Sequence, residues 1–214
     1  VMGKPRSPQG RARSVHERLK AEYEAVCELN HESPFELLVA TILSAQCTDV
    51  RVNKTTPAVF DRYPDPLALA HAHLGELEEL VHATGFYKSK ARNLVKMANQ
   101  LLEDHEGEVP TDLAALVKLG GVGRKTANVI RSVAFGLPGL PVDTHVGRLA
   151  RRLGITEEED PVKVEMVLNP MIPQHERGEF SLRVILHGRQ VCFARSPHCA
   201  DCVLNDFCPS AFDF

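Results

Sequence analysis

The sequence predicts an all-α fold of about ten helices, on two grounds. Apolar residues recur at helical spacing, as Val15, Leu19, Val26 and Leu29 do, whereas alternating strand patterns are scarce. Helix-start signals also recur, and the clearest is the string Ser33-Pro34-Phe35-Glu36. In that string the serine can cap a helix, the proline suits its first turn, and the glutamate can complete a capping box. Further start signals stand at Thr48-Asp49, Asp65-Pro66, Thr111-Asp112 and Asp160-Pro161.

Length and composition indicate one large or two small globular domains. The chain has 214 residues, of which 43% are hydrophobic, so a sizeable core can be buried. The nearly all-apolar run 35–45 predicts a helix that is buried on most sides. No apolar run approaches the roughly 20 residues of a membrane helix, and the first residues lack an apolar signal core. We therefore expect a cytoplasmic protein without a membrane segment, in which residues 1–13 form a mobile basic tail.

The distribution of charge, rather than its total, points to a nucleic-acid partner. The formal net charge is −3, which by itself does not favour DNA binding. Cations nevertheless cluster in two stretches, and Asp143 is the only acid within them. Such stripes can contact phosphates, although solvated helix faces give the same pattern. The cations are Lys88, Lys90, Arg92 and Lys96 in the first stretch, and Lys118, Arg124, Lys125, Arg131, Arg148, Arg151 and Arg152 in the second.

A glycine-rich turn joins two predicted helices in the middle of the chain. A helix over Leu113–Leu119 is followed by Gly120-Gly121-Val122-Gly123 and by a second helix that begins at Arg124. Glycines allow positive φ and close approach of a phosphate, which the positive end of the second helix also attracts. The spacing of a nucleotide-binding P-loop is missing. A plain connection between two helices remains the alternative.

Lys125, in the first turn of that second helix, is a candidate nucleophile. The positive end of the helix disfavours the ammonium form, and desolvation would act in the same direction. Both effects raise the fraction of neutral amine that a nucleophilic lysine needs. A surface lysine that only contacts a phosphate is the competing interpretation.

Asp143, in the string Pro141-Val142-Asp143-Thr144-His145, allows two interpretations. Its carboxylate can cap the helix that follows. It can also transfer protons and stabilise positive charge at a reacting carbon. The residues alone leave both roles open.

Four cysteines close to the C-terminus predict a metal site. Their spacing is Cys-x6-Cys-x2-Cys-x5-Cys, and in a cytosolic protein such a cluster favours metal ligation over disulfides. Zinc and a [4Fe–4S] cluster both accept four sulfurs, so the donor set does not choose between them. The four residues are Cys192, Cys199, Cys202 and Cys208.

Taken together, the chain from about Ser14 to Cys208 resembles bacterial endonuclease III, a family of bifunctional DNA glycosylases and abasic-site lyases. The cysteine spacing is similar to that of the iron–sulfur loop of this family, and so favours a [4Fe–4S] cluster. The other matching strings are Ser33-Pro34-Phe35-Glu36-Leu37-Leu38, Leu43-Ser44-Ala45-Gln46-Cys47-Thr48-Asp49-Val50, Gly121-Val122-Gly123-Arg124-Lys125-Thr126-Ala127 and Val142-Asp143-Thr144-His145.

The resemblance implies two helical domains that flank a DNA-binding cleft. A six-helix barrel would cover 28–138 and contain a helix-hairpin-helix at about 113–132. Segments 1–27 and 139–214 would form a discontinuous iron–sulfur domain. The expected partner is double-stranded DNA with a damaged base or an abasic site, bound by a monomeric, nucleoid-associated bacterial protein.

The resemblance also assigns roles to individual residues. Lys125 would attack the sugar and form a Schiff base, Asp143 would assist proton movement, and β-elimination would break the strand. Lys125 and Asp143 would face each other across the cleft. The implied DNA contacts are Gln46 as a wedge, Phe86 as an intercalating residue, the hairpin glycines Gly121 and Gly123, and Arg195. Ser44, Asp49 and His145 would line the substrate pocket.

Two departures and two alternatives follow from the same comparison. The family often has proline where Gly120 stands, which predicts a looser hairpin, and Phe86 replaces a frequent leucine. One alternative is a monofunctional adenine or mismatch glycosylase, which carries a catalytic glutamate where Thr41 stands here. The other is a noncatalytic DNA-binding module that uses the hairpin and the metal only as a clamp.

Overall fold

The protein is all-helical in the computed structural model, which describes residues 4–213. Within that range there is no β-strand, so the predicted all-α class is confirmed. A π-helical turn, Ile130–Ala134, continues α8, and 3-10 turns occupy His82–Thr84, Gln174–Glu176 and Cys199–Asp201. The α-helices are α1 Pro8–Glu22, α2 Pro34–Leu43, α3 Asp49–Arg62, α4 Pro66–Ala70, α5 Leu74–Val81, α6 Tyr87–His105, α7 Leu113–Leu116, α8 Arg124–Val129, α9 Thr144–Arg152, α10 Pro161–Leu168 and α11 Arg177–Gln190.

The predicted helix starts are realised by side-chain caps. Ser33 Oγ accepts a hydrogen bond from Glu36 N at 3.1 Å and so caps α2. Glu36 in turn accepts from the backbone N–H of Glu32 at 2.7 Å, one residue before the position that a regular capping box would use. The same role falls to the side chains of Thr48, Asp65, Asp112 and Asp160, which cap α3, α4, α7 and α10.

The chain divides into two compact units. One is continuous and runs from Cys27 to Leu137. Its central element is α2, in which every residue from Phe35 to Leu43 except Glu36 is buried. Helices α3, α6 and α8 pack against it. The apolar run in the sequence therefore lies at the core of this unit, as its pattern indicated.

The other unit is discontinuous and joins the residues up to Val26 to those from Pro138 onward. Helix α11 packs against α1 and α9, and α9 also contacts α10. The core of this unit includes Leu19, Leu149 and Phe180. The N-terminal helix is thus part of the same core as the C-terminal helices.

The prediction of a mobile basic tail over 1–13 is wrong for most of that segment. Helix α1 begins at Pro8 and is capped by Ser7, whose Oγ accepts a hydrogen bond from Gly10 N at 3.1 Å. Ala12 is fully buried, and the Arg11 guanidinium donates to Leu153 O at 3.3 Å. Few apolar residues suffice here because the arginine satisfies backbone carbonyls of the same unit. Positions 1–3 lie outside the described residues.

None of the helices in the described range has the length and apolar character that crossing a membrane requires.

Candidate functional site

The glycine-rich turn between α7 and α8 combines a packed side with an open side. Gly121 has a φ of +76°, and an added Cβ would lie 3.0 Å from Asn93 Cβ and 3.2 Å from Ile42 Cγ2. Val122 is buried and closes the apolar underside of the turn. An added Cβ at Gly123, by contrast, would meet nothing within 4 Å. The backbone at Gly123 is therefore open to a ligand, at the N-terminus of α8.

The hairpin is held from α6, so the expectation of a looser turn is not met. The Gly120 N–H donates to Gln100 Oε1 at 2.8 Å, and Gln100 Nε2 donates to Lys118 O at 3.0 Å. A Cβ on Gly120 would stand 2.7 Å from Asn93 O. Proline could neither donate the first hydrogen bond nor fit against that carbonyl. Gln100 therefore supplies by side-chain hydrogen bonds the rigidity that the sequence suggested was missing.

We expect Gly120→Pro to lower the free energy of unfolding by about 2 kcal/mol or more, because a partly buried hydrogen bond is lost and a Cβ clashes with Asn93 O. Denaturant unfolding monitored by circular dichroism measures the change. Gly123→Ala is the matched control and should change the free energy of unfolding by less than about 0.5 kcal/mol. An unchanged unfolding midpoint in Gly120→Pro would show that Gln100 does not hold the turn as described.

Lys125 lies in the first turn of α8, and its side chain is exposed. The fold of its own unit therefore does not desolvate the amine of Lys125. A bound ligand that displaces water would have to do so.

The thiol of Cys27 interacts electrostatically with Lys125. Burial raises the pKa of Cys27 most, a hydrogen bond from the backbone of Leu29 lowers it, and the charge of Asp49 raises it further. The ammonium of Lys125 lowers the same pKa. Two predicted site residues, Asp49 and Lys125, thus act on one half-buried thiol whose role the sequence did not suggest. Asp49 itself is half-buried in the first turn of α3.

Three exposed non-glycine residues of the continuous unit adopt left-handed backbone conformations, and two of them, Gln46 and Phe86, are predicted site residues. Gln46 has a φ of 53° and Phe86 a φ of 48°, although neither is a glycine. Phe86 directly precedes α6 and leaves 66% of its surface exposed. A left-handed, exposed phenylalanine contributes little to its own core, and such strain concentrates at functional sites. These are the residues to which the sequence resemblance assigned insertion into DNA.

The cationic stretches are only partly surface features. Lys88, Arg92 and Lys96 are exposed, whereas Lys90 is only 4% exposed. The prediction that Lys90 belongs to a phosphate-facing stripe is therefore wrong. Its position explains this outcome, since it precedes Leu94 by four residues and so shares the buried face of α6.

Arg148 and Arg152 of the second stretch are also engaged within their own unit. Arg148 Nη2 donates to Cys192 O at 2.8 Å and to Gly188 O at 3.0 Å. Arg152 Nη1 donates to Phe193 O at 2.6 Å. These two arginines hold the segment that begins at Cys192 against α9, so they are structural cations rather than members of an open stripe.

Asp143 caps α9 with only one of its two carboxylate oxygens. Oδ1 accepts from His145 N and from Val146 N, each at 2.9 Å. Oδ2 has no hydrogen-bond partner anywhere in residues 4–213. The half-buried carboxylate lines an open depression of about 790 Å³ together with Thr144 and Arg151. Capping and chemistry, which the sequence left as alternatives, are therefore compatible in one side chain.

The remaining predicted site residues differ in how tightly they are held. Ser44 Oγ donates to Thr41 O at 2.8 Å at the end of α2. His145 Nδ1 lies 3.1 Å from Arg148 Nη2, and burial lowers the pKa of this histidine while Asp143 opposes the shift. Arg195, in contrast, is exposed in the cysteine-containing loop. Of these residues, Arg195 alone presents a cation directly to solvent.

The four C-terminal cysteines line one common cavity. Burial raises the pKa of Cys202 to about 11 and also raises that of Cys208, and the other thiols of the group add to both shifts. In the described part of the chain, no three His, Cys, Asp or Glu side chains form a group that could hold a single metal ion. Four sulfurs spread around one cavity fit a larger group, such as a four-iron cluster with one thiolate on each iron. Positive charge in that cavity would reverse the pKa shifts and favour the thiolates.

Comparison with family sequence models places two matches on this chain. Residues 39–174 match the HhH-GPD superfamily of base excision DNA repair proteins. Residues 192–208 match the iron-sulfur binding domain of endonuclease III. The second match begins and ends at the outer two of the four cysteines, so these residues form an iron–sulfur binding segment.

Individual relatives and solved structures agree with these matches. Endonuclease III of Synechocystis sp. is 50% identical over 213 residues, covering 99% of this chain and 97% of that protein. Endonuclease III of Bacillus subtilis is 48% identical over 185 residues, covering 86% of this chain and 84% of that protein. A solved structure described as a trapped endonuclease III–DNA covalent intermediate superposes with a TM-score of 0.91 at 43% identity, covering 95% of this chain and 96% of that chain. The chain therefore belongs to the endonuclease III family of HhH-GPD base excision DNA repair proteins.

Proposed function

We propose that the protein is a bifunctional DNA glycosylase and abasic-site lyase that removes oxidised pyrimidines from double-stranded DNA. The observation that carries the proposal is the exposed amine of Lys125, in the first turn of α8 and two residues after the open backbone of Gly123. The related structure described as a trapped covalent intermediate with DNA supports it. The protein acts as a monomer on chromosomal DNA in the bacterial cytoplasm.

Lys125 is the nucleophile in this proposal. Its neutral amine attacks the anomeric carbon of the damaged nucleotide, and the bond from that carbon to the base breaks as the base takes up a proton. The nitrogen–carbon bond becomes a Schiff base when the sugar ring opens. Loss of a proton from the neighbouring sugar carbon then expels the 3′ phosphate and cuts the strand. Bound DNA displaces water from this amine, which is exposed in the free protein.

Asp143 moves protons and stabilises positive charge on the same extruded sugar. Its Oδ1 remains on the cap of α9, while Oδ2 is the oxygen that interacts with the substrate. A carboxylate near the anomeric carbon stabilises the cationic character that develops as the base departs. Asp143 is thereby held in place by the hydrogen bonds to Oδ1 and keeps Oδ2 for the reaction.

The DNA is held by its backbone and opened at the lesion. The N–H groups next to Gly121 and Gly123 bind phosphate, and Arg195 binds a second part of the backbone. Gln46 fills the space left by the extruded nucleotide and Phe86 enters the base stack. Ser44, Asp49 and His145 line the pocket for the damaged base.

Each of the two units supplies part of the catalytic and DNA-binding residues, as the family resemblance implies. The continuous unit is the six-helix barrel domain and supplies the hairpin and the nucleophile. The discontinuous unit supplies Asp143 and the cluster loop. Cys192, Cys199, Cys202 and Cys208 hold a [4Fe–4S] cluster, whose binding shapes the short loop that carries Arg195.

We expect the protein purified without oxygen to be brown and to contain about four iron atoms per chain. Cys199→Ser should reduce the iron content and the visible absorption, because one of the four thiolates is lost. Cys47→Ser is the matched control and should keep both, since Cys47 lies in the other unit. Iron analysis and absorption spectra measure the outcome, and a colourless protein that contains zinc would contradict the assignment.

A monofunctional adenine glycosylase does not fit the residue at the diagnostic position. Thr41 is buried in α2, and its Oγ1 donates to Leu37 O at 2.7 Å. It therefore offers no carboxylate for the glutamate chemistry of that enzyme class.

A panel of duplexes tests the proposed function. The duplexes contain thymine glycol, uracil, an adenine–guanine mismatch, an abasic site or no damage, and each is incubated with and without borohydride. We expect strand cleavage and a borohydride-stable protein–DNA adduct with thymine glycol and abasic DNA. Base release without cleavage or adduct would indicate a monofunctional glycosylase. Binding without any product would indicate a noncatalytic clamp.

A further inference from the structure

We propose that Lys90 is a positioning residue. It fixes the distance between two loops, the α2–α3 loop that carries Gln46 and the loop before α6 that carries Phe86, so that both side chains enter the duplex at the same lesion. This inference rests on the proposed function, because it concerns how these residues reach the DNA.

Lys90 bridges the two loops by hydrogen bonds from one buried ammonium. Its Nζ donates to Leu43 O at 2.8 Å and to Thr84 O at 2.7 Å. Leu43 ends α2, three residues before Gln46, and Thr84 stands two residues before Phe86. The two carbonyls belong to segments that are far apart in the sequence, so one side chain fixes the distance between them.

The backbone of Lys90 fixes the second loop again. Its N–H donates to Phe86 O at 3.0 Å, which anchors Phe86 at the start of α6. The loop of Phe86 is therefore bonded to Lys90 on both sides of its left-handed residue. Arg51 adds a weaker link from α3, since its Nη1 donates to Ala83 O at 3.4 Å.

Burying the ammonium group of a lysine costs desolvation free energy, so a buried lysine indicates that the charge makes an interaction that an apolar side chain cannot make. Burial lowers the pKa of Lys90, and the neighbouring Cys47 opposes that shift. No carboxylate pairs with Nζ within the described residues. A methionine or leucine would fill the same volume without the desolvation penalty. What an apolar side chain cannot do is bind two carbonyls at once.

Both residues that the bridge supports have a left-handed backbone conformation, which non-glycine residues rarely adopt. Gln46 and Phe86 both have left-handed backbone conformations and exposed side chains. Such conformations persist only where the surrounding structure holds them. Without the hydrogen bonds of Lys90, each loop can relax separately. The distance between the side chains of Gln46 and Phe86 is then no longer fixed before DNA binds.

Lys90→Met tests the proposal, with two matched controls on α6. Lys88→Met removes one charge from an exposed position, and Leu101→Ala removes core contacts without touching either loop. We expect Lys90→Met to lower the ratio of affinities for lesion and undamaged duplexes by about tenfold. Lys88→Met should weaken both affinities equally. Leu101→Ala should lower stability and leave the ratio unchanged, which separates positioning from general destabilisation.

A fluorescent base analogue opposite the lesion reports insertion directly. The rise of its fluorescence should be slower in Lys90→Met and unchanged in Leu101→Ala, measured well below both melting temperatures. Lys90→Gln, which keeps a side-chain donor, should recover part of the rate. An unchanged rate and affinity ratio in folded Lys90→Met would overturn the proposal.

A double-variant background gives the decisive comparison. In Gln46→Ala/Phe86→Ala protein, Lys90→Met should cause no further loss of lesion discrimination, because the residues it positions are absent. A full additional loss would show that Lys90 acts through something else. Wild-type borohydride trapping on abasic DNA, run in parallel, tests the proposed function separately. If the wild type traps and the Lys90 variants behave like the wild type, only the positioning inference fails.

Discussion

Lys125→Ala is expected to abolish the borohydride-stable adduct and to reduce strand cleavage by roughly 10³-fold or more. The variant lacks the amine that forms the covalent bond to the sugar. DNA affinity should fall only modestly, because the backbone of Gly121 and Gly123 still binds phosphate. Single-turnover cleavage of thymine-glycol and abasic duplexes, together with trapping and a binding titration, measures these three quantities.

Lys125→Arg is the sharper control for this prediction. Arginine keeps the positive charge at the start of α8, so phosphate binding is retained, but it remains protonated and does not form a Schiff base. Both variants should fold normally, since the side chain is exposed. If Lys125→Ala still cut abasic DNA at the wild-type rate, another amine would be the nucleophile.

Asp143→Asn is expected to reduce the single-turnover rate of base excision by about 10²- to 10⁴-fold with little loss of stability. Asparagine caps helices about as well as aspartate, so the hydrogen bonds to His145 N and Val146 N are kept. The carboxylate charge and its proton-accepting oxygen are lost. The measurement compares excision rates and thermal unfolding with those of the wild type.

Asp143→Ala separates the two roles of this carboxylate. It should show the same loss of activity and, in addition, lose about 0.5 to 2 kcal/mol of stability, because the cap of α9 disappears. An aspartate that only caps would behave differently. In that case Asp143→Asn would retain full activity, and only the alanine variant would be impaired.

The helix framework could be predicted from the sequence because its signals are local. A capping side chain followed by proline or an acid marks the starts of α2 and α4, and the structure places helices at both. The apolar run of α2 likewise indicated burial. The prediction of a mobile N-terminal tail was wrong because Arg11 and Ala12 stabilise α1 through contacts with residues that are distant in the sequence. Composition does not reveal such contacts.

The details of the candidate site depended more on tertiary contacts. No local sequence signal indicates that Gln100 holds the hairpin, since the two lie on separate elements. The burial of Lys90 could have been found, because it shares a helical face with Leu94, Met97 and Leu101. The left-handed conformations of Gln46 and Phe86 could not, because non-glycine residues rarely adopt them and carry no compositional marker.

Mapping the borohydride-reduced adduct by peptide mass spectrometry identifies the amine that bonds to the sugar. Wild-type protein is trapped on abasic DNA, the DNA is digested, and the residue that carries the sugar remnant is identified. We expect a single modified residue, Lys125. A sugar remnant on any other amine, with Lys125 unmodified, would contradict this expectation.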